Sequence, residues 1–177
     1  MTFVQKQALV LRHLRQHFII ALLCLIALQA SAGTSPAVIE SNDQITGTVF
    51  QVKDGDSIVV RSEGKFIEVR LHGIDAPEWK QPYGDKAKKK LRSLVLFKEV
   101  ILKPVTVDSY DRLVSIVYVN DKNINLEMVK TGNAWWYKRF ANKDKALKKA
   151  QANAKSEKLG LWYEKKPIPP WEWRHTN

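Results

Sequence analysis

Cysteine is almost missing from this chain of 177 residues: the single one, Cys24, lies inside an apolar run near the N-terminus. Beyond residue 32 there is none, which excludes thiol chemistry, thiolate-bound zinc and an internal disulfide from the rest of the chain. Histidine is nearly as scarce there. Only His72 and the near-terminal His175 remain, so a histidine-based acid–base site or a histidine zinc centre has little support, and His72 reads as a partly exposed strand residue. No apolar run reaches the ~20 residues that a bilayer span requires. No internal repeat is present. Acids are outnumbered, 18 Asp+Glu against 29 Lys+Arg.

What is present starts with a leader. Lys6, Arg12 and Arg15 precede an apolar stretch from Phe18 to Ala30, and Ala30-Ser31-Ala32 has the small-residue pattern of a cleavage site. This predicts a secretory signal peptide over residues 1–32, hence a periplasmic or secreted product; an uncleaved membrane anchor is the alternative. Cys24 is flanked by Leu23 and Leu25 rather than by small residues, which argues against lipid attachment. Removing the leader takes away three bases and no acids, leaving 26 against 18, a net charge of +8. A domain so basic suits nucleic acid, acidic polysaccharide or anionic lipid equally well.

Residues 33–43 are small and polar and read as a flexible lead-in. Gln44 to Val60 then alternates apolar and polar residues, with Ile45, Val49, Ile58 and Val60 as inward candidates and Asp54-Gly55 as a hairpin turn. After a polar turn at 62–65, Phe66 to Leu71 resumes the strand pattern. The prolines of Asp75 to Tyr83 make that stretch a loop. From Asp85 the period becomes helical, with Ala87, Leu91, Leu94 and Val95 on one face and a lysine run on the other. Glu99–Val107 and Leu113–Val119 read as two further strands. Ile124–Lys130 reads as a short helix, and Asp144 to Lys158 as a longer one with Leu147, Ala150 and Ala154 on its apolar face, capped by Asn142 or Asp144 and stopped by Gly160. The Pro/Trp-rich tail, 165–177, is expected to be extended. Five short strands with a helix between the third and fourth predict a small five-stranded OB-like barrel over 44–164, mainly β within the α+β class; other α+β folds share that order.

Five side chains in this frame read as one phosphodiester-cleaving site. Asp56 follows the first hairpin turn and Asp75 follows the third strand, so adjacent strand ends would let both carboxylates share a hard cation such as Ca²⁺ or Mg²⁺. Either one taken alone reads more simply as a turn residue or a loop cap. Arg70, on the strand face opposite Val69 and Leu71, and Arg112, at the start of the fifth strand, offer planar donor forks that match a phosphate. Glu78, stiffened by Pro77, is placed to take a proton from an attacking water or to orient it. Tyr110 would bond a phosphate or stack on a base. The run Trp135, Trp136, Tyr137 and Phe140, beside Lys138 and Arg139, suits base stacking. Core packing is its rival reading, expected for at least one of the two tryptophans.

The ordered pieces Val52-Lys53-Asp54-Gly55-Asp56-Ser57, Val69-Arg70-Leu71-His72-Gly73-Ile74-Asp75-Ala76-Pro77-Glu78, Asp108-Ser109-Tyr110-Asp111-Arg112, Gly132-Asn133-Ala134-Trp135 and Gly160-Leu161-Trp162 together resemble the staphylococcal (thermo)nuclease family. The similarity runs from about Ile45 to Trp162. It implies an OB-fold barrel with three helices and Ca²⁺-dependent hydrolysis of DNA and RNA to 3′-phosphate ends, by a monomer with no obligate protein partner. It also implies roles. Asp56, Asp75 and the Ala76 carbonyl would hold calcium, Arg70 and Arg112 would stabilise the phosphate, Glu78 would act as general base, and Tyr110 would contact the substrate phosphate; Phe140 is a further substrate-binding candidate. Ala76 stands where the family has threonine, which matters little for a backbone ligand. Asp111 replaces a usual glycine and Ser109 a lysine, which bears on end preference rather than on the reaction. A catalytically silent OB module that only binds single strands is the alternative, but silent members lose acids or arginines that this chain keeps.

Overall fold

A computed structural model describes residues 44–176; the expected leader and lead-in lie outside the described residues. Strand β1 (Ile45–Val52) and strand β2 (Ser57–Ser62) form the first hairpin. Alternation works as expected for Val49, Ile58 and Val60, which are fully buried, whereas Ile45 is half-buried at the strand start. A register shift between Val49 and Gln51 turns both Phe50 and Gln51 outward and returns Val52 to the core, as a β-bulge does. Strand β3 (Lys65–Leu71) follows a two-residue turn, Glu63-Gly64, in which both residues have positive φ (49° and 79°). That geometry suits the right-handed twist of a hairpin.

Helix α1 (Gly84–Val95) buries Ala87, Leu91 and Val95 and leads to strand β4 (Glu99–Val107), which pairs antiparallel with β1. Strand β5 (Leu113–Val119) pairs antiparallel with β4. The sheet then closes on itself: β3 and β5 run parallel, with Val69, Arg70 and Leu71 opposite Leu113, Val114 and Ser115. The result is the five-stranded barrel of the OB type, filled by Val49, Ile58, Val60, Val69, Leu71, Val100, Leu102 and Val117. Asn125 stitches this seam from inside. Its Oδ1 accepts from Val117 N–H at 2.9 Å, and its Nδ2 donates to the carbonyls of His72 (2.9 Å) and Ser115 (3.1 Å).

Helix α2 (Ile124–Lys130) is capped by Asn123, whose side chain accepts from Leu126 N–H. Helix α3 (Lys145–Ser156) is capped by Asp144, which accepts from Leu147 N–H, and it buries Leu147, Ala150 and Ala154 as its periodicity predicts. The tail departs from expectation. Residues Pro170–Thr176 form a further helix, α4, so the described residues hold four helices rather than three. Pro170 at the first helical position lacks only an N–H that would have no partner there, so a proline-rich segment can start a helix at that point. The tail is tied down by aromatics. Trp171 stacks on Tyr137 at 5.3 Å and meets the edge of Trp135 at 5.5 Å, while Trp162 packs edge-on against Trp135 at 4.2 Å. Among the described residues no helix is long and apolar enough to cross a membrane.

Candidate active site

At the end of the barrel where β3 meets β5, a cleft of about 760 Å³ is lined by Asp56, Arg70, Asp75, Ala76, Glu78, Tyr110, Arg112 and Phe140. These are the residues singled out from sequence. They are brought together by strand pairing: Ser57 lies opposite Arg70 in the β2–β3 ladder, and Leu71 N–H donates to the Asp56 carbonyl at 2.8 Å. After Leu71 a turn through Gly73 (φ 74°) carries the chain back so that Ile74 and Asp75 pair with Trp136 and Trp135.

The two aspartates are both buried, at 6% and 1% exposure, and they converge on one nitrogen. Arg70 Nη2 lies 3.1 Å from Asp56 Oδ2 and 3.0 Å from Asp75 Oδ1. Asp56 Oδ2 also accepts from Ala76 N–H at 2.6 Å, and its Oδ1 accepts from the Ser57 hydroxyl at 3.2 Å. Burial pushes the Asp56 carboxyl well above the usual carboxylate range, and the neighbouring charges of Asp54 and Asp75 add to that shift. Arg70 opposes these effects without cancelling them. Arg70 alone therefore does not offset the cost of burying the Asp56 carboxylate.

Arg112 is held differently. Its Nε and Nη2 donate to Asp108 Oδ2 at 2.9 and 2.8 Å, while Asp108 Oδ1 accepts the main-chain N–H groups of Tyr110 and Arg112 at 3.0 Å each. Partial burial disfavours the charged form of Asp108, but the hydrogen bonds from the Arg112 side chain, then from the backbone of Arg112 and Tyr110, outweigh it and hold the carboxyl below its ordinary value. Asp108 was not singled out from sequence. Its signal was available in the loop Asp108-Ser109-Tyr110-Asp111-Arg112, where an aspartate at the start of a turn that ends in an arginine can bond both backbone and guanidinium. The Arg112 guanidinium sits 5.5 Å from the Tyr110 ring centre, and Tyr110 is 79% exposed.

The aromatic run divides. Trp135 is buried, and Trp136 is half-buried with its Nε1 donating to the Ala141 carbonyl at 2.9 Å, so both serve packing and do not line the cleft. Tyr137 and Phe140 reach the cleft wall, in edge contact with each other at 5.1 Å. His72, read from sequence as a strand residue, instead lies in the turn just after β3. It is half-buried and also lines the cleft; burial lowers its pKa, Asp144 acts the other way and Arg70 adds to the lowering.

A cleft residue missed from sequence is Arg174 of α4. Its Nη2 donates to Asp75 Oδ2 at 2.8 Å, and its Nη1 lies 2.5 Å from Glu78 Oε1 and 3.3 Å from Asp75 Oδ1. The hydrogen bond to Asp75 is the largest effect on this already strong base; burial opposes it, and the bond to Glu78 and the charges of both acids tip the balance upward. The spacing Trp171-x-x-Arg174 would have placed anchor and arginine one helical turn apart, but only after the tail is read as a helix.

A closed barrel with paired acids, arginines and a glutamate in one cleft defines a class: phosphodiester-cleaving enzymes that work on nucleic acid. The family model described as staphylococcal nuclease homologue matches residues 68–164. Among curated relatives, an uncharacterized endonuclease of Haemophilus influenzae is 44% identical over 135 residues, covering 76% of this chain and 75% of its own. An uncharacterized endonuclease of Escherichia coli is 42% identical over 132 residues, covering 74% and 86%. A micrococcal nuclease of Shigella flexneri is 34% identical over 141 residues, covering 74% and 81%. The chain belongs to the staphylococcal nuclease family.

Proposed function

We propose that this protein is a calcium-dependent nuclease that hydrolyses phosphodiester bonds of DNA and RNA to leave 3′-phosphate ends. The observation that carries the reading is the convergence of Asp56 and Asp75 on one cationic nitrogen in the cleft that also holds Glu78 and Arg112. Among the described residues no cluster of three acidic, histidine or cysteine side chains forms a ready-made metal cage. The donor set nonetheless fits a hard cation: two buried carboxylates, in a cleft that Ala76 also lines, would supply oxygen ligands and leave positions for water and phosphate.

When bound, calcium supplies Lewis-acid stabilisation of phosphate charge. Asp56, Asp75 and the Ala76 carbonyl would hold it. Glu78 accepts a proton from the attacking water, whose oxygen forms the new bond to phosphorus. Arg70 and Arg112 donate hydrogen bonds to the phosphate oxygens as negative charge builds on them. The P–O5′ bond breaks, the 5′-oxygen takes up a proton, and a 3′-phosphate and a 5′-hydroxyl remain. Tyr110 and Phe140, both exposed on the cleft wall, provide surfaces for phosphate contact or base stacking. The basic balance of the chain favours polyanion capture. We also propose that residues 1–32 direct export.

The test is digestion of single-stranded DNA, double-stranded DNA and RNA by purified protein, with calcium and with EGTA, followed by analysis of the product ends. Calcium-supported cleavage to 3′-phosphate ends, abolished by EGTA, is the expected result. Strand binding without cleavage would instead identify a silent nucleic-acid-binding module.

A further inference from the structure

Helix α4 brings a guanidinium to the two acids that the reaction needs most. Asp75 Oδ1 receives Arg70 Nη2 at 3.0 Å and Arg174 Nη1 at 3.3 Å, and Asp75 Oδ2 receives Arg174 Nη2 at 2.8 Å. A carboxylate oxygen has about two in-plane lone pairs. Oδ1 is therefore fully committed, and Oδ2 keeps a single free position beside a fixed positive charge. The same guanidinium holds Glu78 Oε1 at 2.5 Å, so it occupies an oxygen that an attacking water would have to reach.

The attachment is designed to be local. Trp171 anchors the helix against Tyr137 and Trp135, and Gln81 Nε2 donates to the Ile168 carbonyl at 2.6 Å just before the helix. Arg174 lies one turn beyond that anchor. Its side chain is 43% exposed, so a displaced guanidinium can move into water, although Asp75 itself is buried. Asp75, at 1% exposure, has a second partner in Arg70 and does not depend on Arg174 alone for its pairing.

We propose that Arg174 is an internal competitor of the metal: the C-terminal helix seats its guanidinium on Asp75 and Glu78 in the resting protein, and cation loading displaces it. The inference rests on the calcium reading given under Proposed function. Displacement frees Asp75 to ligate and Glu78 to act as base, while the Trp171 anchor keeps the tail within reach for the reverse step. The consequence is a coupling between tail position and calcium affinity, of the size that two mutually exclusive ligands generate.

Calorimetric titration of the full chain with calcium, in the absence of nucleic acid, tests this directly. Arg174→Gln should bind calcium about tenfold more tightly than the unaltered protein, and Arg174→Lys, which keeps the charge, should fall between them. Trp171→Ala, which loosens the anchor without touching a charged group, should shift affinity in the same direction as Arg174→Gln. Circular dichroism confirms that each variant is folded before titration. Equal or weaker calcium binding by folded Arg174→Gln overturns the proposal and leaves the nuclease reading untouched. Calcium binding by none of the proteins overturns both.

Discussion

Ala76 and Asp56, 20 positions apart, are joined by a 2.6 Å hydrogen bond from the main-chain N–H of one to the carboxylate of the other. This contact fixes the loop that carries Glu78 against the first hairpin, and it makes Asp56 a structural as well as a chemical residue. Burial raises the Asp56 carboxyl above its ordinary value of 3.8. A group whose folded pKa is raised contributes stability that is fully present below 3.8 and lost as pH rises through the folded value. Calcium-free protein should therefore lose stability between the ordinary carboxylate range and the raised value. Asp56→Asn retains an acceptor for Ala76 and removes the charge, so it should flatten that slope and melt at or above the unaltered protein at neutral pH while losing activity. Thermal melts across the acid-to-neutral range check both statements; an unchanged slope would contradict them.

Glu78→Gln and Arg112→Ala should each reduce turnover by about 10²–10⁴-fold with little effect on the melting temperature, because both side chains sit in the cleft wall and outside the core. Single-turnover rates at saturating calcium are the appropriate measurement. A loss confined to KM would assign these residues to substrate binding instead.

Asp108 positions Arg112 without needing to touch substrate. Asp108→Asn weakens the charged half of that clamp, and misplacement of one phosphate-binding guanidinium should cost up to about 10²-fold in turnover. Calcium affinity, which the proposed reading assigns to Asp56 and Asp75, should stay the same. A parallel fall in calcium binding would show that Asp108 acts through the metal site.

Gly132 and Gly160 approach backbone to backbone. A Cβ on Gly132 would lie 2.2 Å from the Leu159 carbonyl oxygen, at a φ of +68° that side-chain-bearing residues rarely adopt. Gly132→Ala should cost at least ~1–2 kcal/mol from the backbone conformation alone, with the clash added to it. Trp162→Ala, which removes the edge contact to Trp135 in the same region, should cost about 3–5 kcal/mol. Denaturant unfolding measures both, and a change within experimental error at either position would show that this satellite core contributes little.

The barrel was legible because its period-2 and period-3.6 segments are short and separated by turn residues. Glu99–Val107 and Leu113–Val119 have the limits read from sequence, although the first loses its alternation at the irregularity between Pro104 and Thr106. The acids and arginines could be grouped because consecutive strands place Asp56 beside Arg70. The bulge at Phe50 was hidden, since one inserted residue leaves composition unchanged. The tail was misread for a definite reason: three prolines suggest extended chain, but Pro170 occupies the one helical position that tolerates it, and the helix is held by tertiary contacts of Trp171 rather than by propensity. Arg174 followed it out of view. The division of Trp135 and Trp136 from Tyr137 and Phe140 likewise depends on packing partners, Trp162 and Trp171, that lie far along the chain.

The parallel pairing of β3 with β5 has a consequence for timing. Val69 and Leu113 are 44 positions apart, so their pairing carries the entropic cost of closing a long loop. Without that junction, Arg70 on β3 and Arg112 just before β5 have no shared cleft, so barrel closure and the assembly of the site are one event.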